Sequence, residues 1–289
     1  MAFQVLIYGT IFGTQVLVLA LALHFIYAVS KVQNLALGGI ASAVAYTLYW
    51  CITSGFSIWM QILIPLLVAL FLGYLNFWLN EPLTKKREHL LAMIVSFSFA
   101  VFLESLIAML FGAGGKSFLS GITHSISLGA LSIPLPGLFI IVFGAVLASS
   151  AFFFFRFLPF GRTFRAIAED EPSAISLGAR YSFVRLLAYL MGGIVAGGIG
   201  ILAGFNTALV PTMGLPLMIM AFIVFLVGGV SDVRGTIIAA YLLSVIPELI
   251  FGLVPNVSLD WRMVIMFGIA AILLVFRPNG LFALERRVG

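Results

Sequence analysis

Long apolar runs broken by short polar stretches dominate the chain. They fall near Phe3–Val29, Leu35–Ser54, Phe56–Leu79, Leu90–Gly112, Gly137–Phe155, Phe183–Phe205, Leu215–Ser231, Gly235–Leu253 and Met263–Phe276. A hydrocarbon core of roughly 30 Å takes about 20 apolar residues as a helix, and these runs are continuous rather than alternating. Backbone groups in lipid must be satisfied within the segment, so the pattern predicts helices and not a barrel. The expected fold class is all-α: a polytopic transmembrane bundle of about nine spans, with residues 1–289 forming one membrane domain.

Two stretches break the rhythm. Residues of about 113–136 form an expected external loop in which Ser125, Ser127 and Ser132 alternate with Ile126, Leu128, Leu131 and Ile133, as in a short hairpin or an interfacial cap. Residues of about 156–182 are too polar to span, yet rich in Ala, Arg and Glu, and Pro172 is placed to begin a second short helix. No repeat with a period of 20–50 residues occurs. The first apolar run lacks a basic flank and exceeds the length of a signal-peptide core, so it is expected to stay as a span.

Composition sharpens this picture. Hydrophobic residues make up 63% of 289 positions and charged residues 9%, against about 25% charged in soluble domains. The mean hydropathy is +1.21. A net charge of +5 does not point to nucleic acid, because the basic residues sit in short loops rather than on one face. Placing Lys85, Lys86 and Arg87 in the cytoplasm fixes the other loops by alternation. Of the 15 lysines and arginines, only Lys116 and Arg262 then fall outside, which satisfies the positive-inside rule with the N-terminus outside and the C-terminus inside. The single cysteine, Cys51, excludes an internal disulfide and a cysteine-rich metal site.

The chemistry-bearing positions are few. Ionisable groups inside spans are costly and face a cavity or a partner. Glu104 lies between Ala100 and Ala108, Glu248 follows Ser244 and Pro247, and His24 lies between Ala20 and Ala28. Asn34, Gly38, Ser42 and Ala45 make a small, partly polar stripe at the start of the second span. The Gly38–Gly39 pair there fits either a loosened helix that exposes backbone to a solute or tight packing. Asn34, Gly38, Gly39, Ser96, Ser98, Glu104 and Glu248 are the candidates for a solute path. Gly9 and Gly13 have the spacing of close helix contacts, as do Gly193 and Gly197. Gly114-Gly115-Lys116-Ser117 imitates the tail of a phosphate-binding loop, but Leu110 stands where a glycine is required and no strand precedes it. No metal-ligand cluster, nucleophilic triad or cofactor motif is found, and the chain is not expected to be an enzyme.

Phe160-Gly161-Arg162-Thr163-Phe164-Arg165-Ala166-Ile167-Ala168-Glu169-Asp170, with Ala174 and Leu177-Gly178 after it, resembles the coupling segment of bacterial branched-chain amino-acid ABC transporter permeases. Ala203-Gly204, Val227-Gly228-Gly229, Arg234-Gly235-Thr236 and Phe276-Arg277-Pro278-Asn279-Gly280-Leu281-Phe282 follow in the family's order, and Leu6-Ile7-Tyr8-Gly9 resembles its start. The chain departs at Leu37-Gly38-Gly39, where the family carries a His-Gly-Glu-like stretch. The resemblance implies a multi-pass permease of the bacterial plasma (inner) membrane. It also implies a second homologous permease, two cytoplasmic ATP-binding subunits and an external solute-binding protein as partners. Solutes across the family are amino acids, urea or short amides. In that frame Gly161, Arg162, Arg165, Ala166, Glu169, Asp170, Ala174 and Gly178 would contact the ATPases. An ion-coupled secondary transporter, kept open by Glu104 and Glu248, and a passive urea or amide channel are the rival readings; a membrane scaffold is the weakest.

Overall fold

The computed structural model describes residues 2–118, 125–128, 131–229, 233–253, 261–278 and 280–281. Residues 119–124 and 129–130 of the expected external loop, and Asn279, Phe282, Arg286 and Arg287, lie outside the described residues. The chain is a helical bundle: α1 Ala2–Ser30, α2 Ala36–Thr53, α3 Ile58–Lys85, α4 His89–Phe111, α5 Leu135–Phe157, α6 Pro159–Glu169, α7 Glu171–Ser176, α8 Tyr181–Asn206, α9 Gly214–Gly228, α10 Val233–Leu253 and α11 Arg262–Phe276. An antiparallel hairpin, β1 Ser125–Leu128 with β2 Leu131–Pro134, precedes α5. It qualifies the all-α expectation and realises the hairpin alternative.

Among the described residues, six helices are long and apolar enough to cross a membrane: α1, α2, α3, α4, α8 and α10. Three apolar helices are shorter over the stretches that qualify, Leu135–Ser150 within α5, α9 and α11. The exterior is apolar along α3 and α4, where Ile62, Leu67, Phe71, Phe97, Phe102 and Met109 are exposed. The interior instead gathers polar side chains, among them Asn34, Asn76, Ser96, Glu104 and Arg185. This inversion suits a chain whose solvent is lipid, since polar groups find partners only by turning inward.

Helix α1 runs through the bundle against α10, α8, α9 and α5, while α2 packs on α8, α4, α3 and α9. Gly9 and Gly13 lie against α10 at Val245 and Tyr241, so that spacing serves packing. Two corrections to the sequence-based boundaries carry structural meaning. Helix α3 continues through Pro82 to Lys85, because a proline there removes one backbone donor without ending the turn. Helix α8 starts at Tyr181, two residues before the expected Phe183, and Arg185 one turn in is buried at 1% exposure.

Two helices begin inside the bundle. After α1 ends, Lys31 turns left-handed at φ +55° and the chain leaves the helix until α2 starts, and α9 opens at Gly214 in contact with α2. At 1.5 Å per residue α2 is about 27 Å long, enough for a thin hydrocarbon core, and α9 about 22 Å, shorter than the six. Their starts meet: a Cβ built on Gly214 would stand 1.9 Å from the Gly38 carbonyl oxygen, and one on Gly38 would stand 2.6 Å from the Gly214 oxygen. Only glycine fits either position without moving backbone. Gly214→Ala is expected to destabilise the protein by about 3 kcal/mol through overpacking, measured as a lowered unfolding midpoint in detergent, whereas Gly114→Ala, with open space around it, should leave the midpoint unchanged.

Candidate functional site

A helix start leaves backbone N–H groups without intrahelical partners, and inside a membrane protein water is not at hand to satisfy them. The α2 start solves this with side chains. Asn34 Oδ1 accepts from the Ala36 N–H at 3.1 Å, and Ser96 Oγ on α4 accepts from the Leu35 N–H at 3.0 Å. The Asn34 and Asn76 amides exchange two hydrogen bonds, each 3.1 Å, and Asn80 donates to both the Asn76 carbonyl and its Oδ1 at 2.9 Å. The α9 start is held in the same manner. Ser42 Oγ accepts from the Gly214 N–H at 3.0 Å, and Glu104 Oε1 accepts from the Leu215 N–H at 2.8 Å. Glu104 is 4% exposed, so its carboxylate also meets the positive end of the α9 dipole at short range.

Five of the sequence candidates therefore come together in one interior cluster: Asn34, Gly38, Gly39, Ser96 and Glu104. Gly38 abuts Gly214 and Gly39 abuts the Ala100 backbone, which is the packing arrangement among the two alternatives for that glycine pair. Ser98 does not join them, because it is exposed on the outer face of α4. Glu248 lies apart as well. It is ion-paired with Arg262 at the first residue of α11, and that guanidinium sits 4.5 Å from the Phe12 ring. His24 is spent on a structural contact, with Nε2 2.6 Å from Thr236 Oγ1 and its ring edge-on to Phe225.

Beyond the α1 end, α6 and α7 lie across the ends of α1, α5 and α8. Phe164 and Ile167 turn inward with Gly161, while Arg162, Arg165, Ala166 and Glu169 face outward. Lys31 donates to the Ala168 carbonyl at 2.9 Å and ties the α1 end to α6. Gly161 and Ala174 are buried against the bundle, so contact with any partner on this face falls to the exposed set. Gly178 is exposed in a left-handed turn with φ +93°, next to Leu177, which is 89% exposed. Asp170 is the N-cap of α7, accepting the Ser173 N–H at 3.3 Å and the Ser173 hydroxyl. These bonds hold its carboxyl below the usual aspartate range.

Comparison with known proteins assigns this architecture. Residues 4–275 match the family model described as branched-chain amino acid transport system / permease component. The chain belongs to this family. The permease is 22% identical over 290 residues to the high-affinity branched-chain amino acid transport system permease protein LivH of Escherichia coli (strain K12), covering 94% of this chain and 92% of that protein. It is 27% identical over 237 residues to the autoinducer 2 import system permease protein LsrC of Yersinia enterocolitica serotype O:8, covering 75% of this chain and 60% of that one. Its fold is shared with a chain in the structure of PsaBC from Streptococcus pneumoniae in complex with Fab, at TM-score 0.54 and 14% identity, covering 94% and 91% of the two chains. The permease is a multi-pass protein of the inner (plasma) membrane.

Several site residues escaped the sequence reading. Asn76 lies within the apolar run Phe56–Leu79, and Asn80 and Glu81 directly follow it. The available signal was a polar side chain at 76, 80 and 84, the i, i+4 spacing of one helix face, within an otherwise apolar stretch.

Two outcomes follow from the cluster and the cap. Glu104→Gln keeps an acceptor for the Leu215 N–H and is expected to retain wild-type thermal stability in detergent, while Glu104→Leu leaves that donor unpaired and should cost about 1–3 kcal/mol. For Asp170, a lowered value in the folded state means that the cap contributes above the usual aspartate value near 3.8 and is lost as pH falls through the lowered one. Asp170→Ala should speed proteolytic nicking between Asp170 and Gly178 at neutral pH, and Asp170→Ser should not.

Proposed function

We propose that the permease is the transmembrane subunit of an ATP-driven importer for a small amino acid of the branched-chain type. In this reading nine helices cross the bilayer, α1 to α5 and α8 to α11, with the N-terminus outside and the C-terminus inside. Residues 1–289 act as one membrane domain. The segment of about 156–182 hangs in the cytoplasm and the loop of about 113–136 faces outside. The charge distribution supports that orientation, since Lys31, Lys85, Arg162 and Arg165 gather at the pole that carries α6 and α7.

The observation that carries the mechanism is the α6–α7 pair itself. It is amphipathic, seated on the helix bundle by Phe164 and Ile167, and it presents Arg162, Arg165, Ala166, Glu169, Ile175 and Leu177 outward. A channel or a secondary carrier has no need of such a surface, and exposed Leu177 and Phe160 suit burial by a partner protein. We take the partners to be two ATP-binding subunits on this face, a second homologous permease within the membrane, and a solute-binding protein outside. Asn34, Gly38, Gly39, Ser96 and Glu104 become solute-facing when the α2 and α9 starts move apart, and Ser98 faces the second permease. A glycine pair in place of larger polar groups suits an aliphatic side chain, and the backbone N–H groups that the separating helix starts release suit the carboxylate of an amino acid.

The test reverses charge on the docking face. Exposed ion pairs contribute about 0.2–1 kcal/mol each, so a double change is required. Arg162→Glu with Arg165→Glu should insert normally, lose ATP-dependent uptake of leucine, isoleucine or valine, and co-purify poorly with the ATP-binding subunits. Wild-type uptake in their absence would replace the importer by a channel or ion-coupled carrier.

A further inference from the structure

Between the α6–α7 pair and the interior cluster lies a line of polar contacts, buried except around Glu81 and Ser182, that neither packing nor docking explains. After α7 ends at Ser176, α8 starts at Tyr181. Arg185, one turn in, is buried to 1% exposure, stacks 4.3 Å from the Tyr181 ring and is ion-paired with Glu81 near the end of α3. Glu81 also accepts the Ser182 hydroxyl at 3.0 Å and pairs with Lys85 at 3.0 Å. From the neighbouring Asn80 the bonds step along α3 to Asn76 at 2.9 Å, across to Asn34 at 3.1 Å, and through the α2 start to Ser96 at 3.0 Å. Four helices are thus joined in sequence, α8 to α3 to α2 to α4.

Two features mark this line as movable rather than fixed. First, α3 and α8 touch through small residues. A Cβ on Gly73 would meet the Tyr189 carbonyl at 2.9 Å, and one on Gly193 would meet the Ala69 carbonyl at 2.8 Å. Backbones that close present little side chain to disengage when one helix shifts along its neighbour, apart from the edge-on contact of Phe77 with Tyr189 at 5.7 Å. Second, the polar groups keep spare capacity. Arg185 Nε and Nη1, and Asn80 Oδ1, have no hydrogen-bond partner among the described residues. A static buried pair is stabilised by filling every donor and acceptor; one that exchanges partners as α8 slides needs donors and acceptors left over.

We propose that the Arg185–Glu81 pair is the joint that carries displacement of α6–α7 to the α2 start, and that Glu81, Arg185 and Asn76 are positioning residues for transport. The proposal rests on the importer reading above and adds the route by which the two poles communicate. It also gives Arg185 a role distinct from that of Arg162 and Arg165, which face outward.

Spatial continuity alone does not establish coupling, so the test separates transmission from stability. Removing one member of a buried pair strands the other, whereas neutralising both is often tolerated. The paired variant Arg185→Met with Glu81→Gln is therefore compared with wild type in proteoliposomes that hold the full assembly with its solute-binding protein. ATP hydrolysis and solute uptake are measured on the same vesicles. The expected result is normal assembly and thermal stability, with ATP hydrolysed per solute moved raised about fivefold or more. Asn76→Ala, which acts at the far end of the line without touching the ion pair, should raise the ratio likewise and decides the matter should the paired variant assemble poorly. An unchanged ratio in an assembled variant, or hydrolysis and uptake falling in step, would overturn the joint. Absence of ATP-dependent uptake in the wild-type assembly would instead overturn the importer reading, and the joint with it.

Discussion

The structure depends on how backbone N–H groups are satisfied where helices begin within an apolar bundle. At a water-facing helix start, solvent completes these bonds; at the starts of α2 and α9 four side chains do so. Asn34 and Ser96 hold the first, and Ser42 and Glu104 hold the second. Each cap comes partly from another helix, so the α2 start is complete only against α4 and the α9 start only against α2 and α4. The close approach of Gly38 to Gly214 then locks the two starts against each other. Remove either cap and a donor is stranded where water cannot replace its partner.

This arrangement also explains why a chain with so few charged residues spends several of them inside. Glu104 answers the α9 dipole, Glu248 answers Arg262, and Arg185 answers Glu81. Each is compensated by a partner close in space, and each partner lies on a different helix or beyond a break in the chain. Interior polarity here is the glue of the bundle as well as its candidate solute path. The two roles are compatible, because groups that hold helix starts together become free donors and acceptors once those starts separate.

The α6–α7 pair follows a different rule. It is stabilised by amphipathy, a proline-led start and the Asp170 cap, all of which are local and suited to water. That locality leaves the segment with an inner side bound to the bundle at Phe164, Ile167 and Lys31 and an outer side that is exposed.

Apolar run length and continuity, read in the sequence alone, determined that the chain is a membrane helix bundle, and the order of motifs from Gly161 to Leu281 pointed to its family. Period and composition also located α6, α7 and the hairpin, because caps, prolines and strand alternation act over a few residues. Of the site, the sequence marked Asn34, Gly38, Gly39, Ser96 and Glu104 as polar or small residues within spans. Only the tertiary structure decided that these five meet, that Ser98 turns outward, and that Glu248 belongs with Arg262. It alone drew Asn76, Asn80, Glu81 and Arg185 into one line. The physical reason is distance along the chain: Glu104 to Leu215, Ser42 to Gly214 and Glu81 to Arg185 are partners separated by 111, 172 and 104 positions. Helical periodicity reports which residues share a face, but which faces meet is set by the packing of the whole bundle.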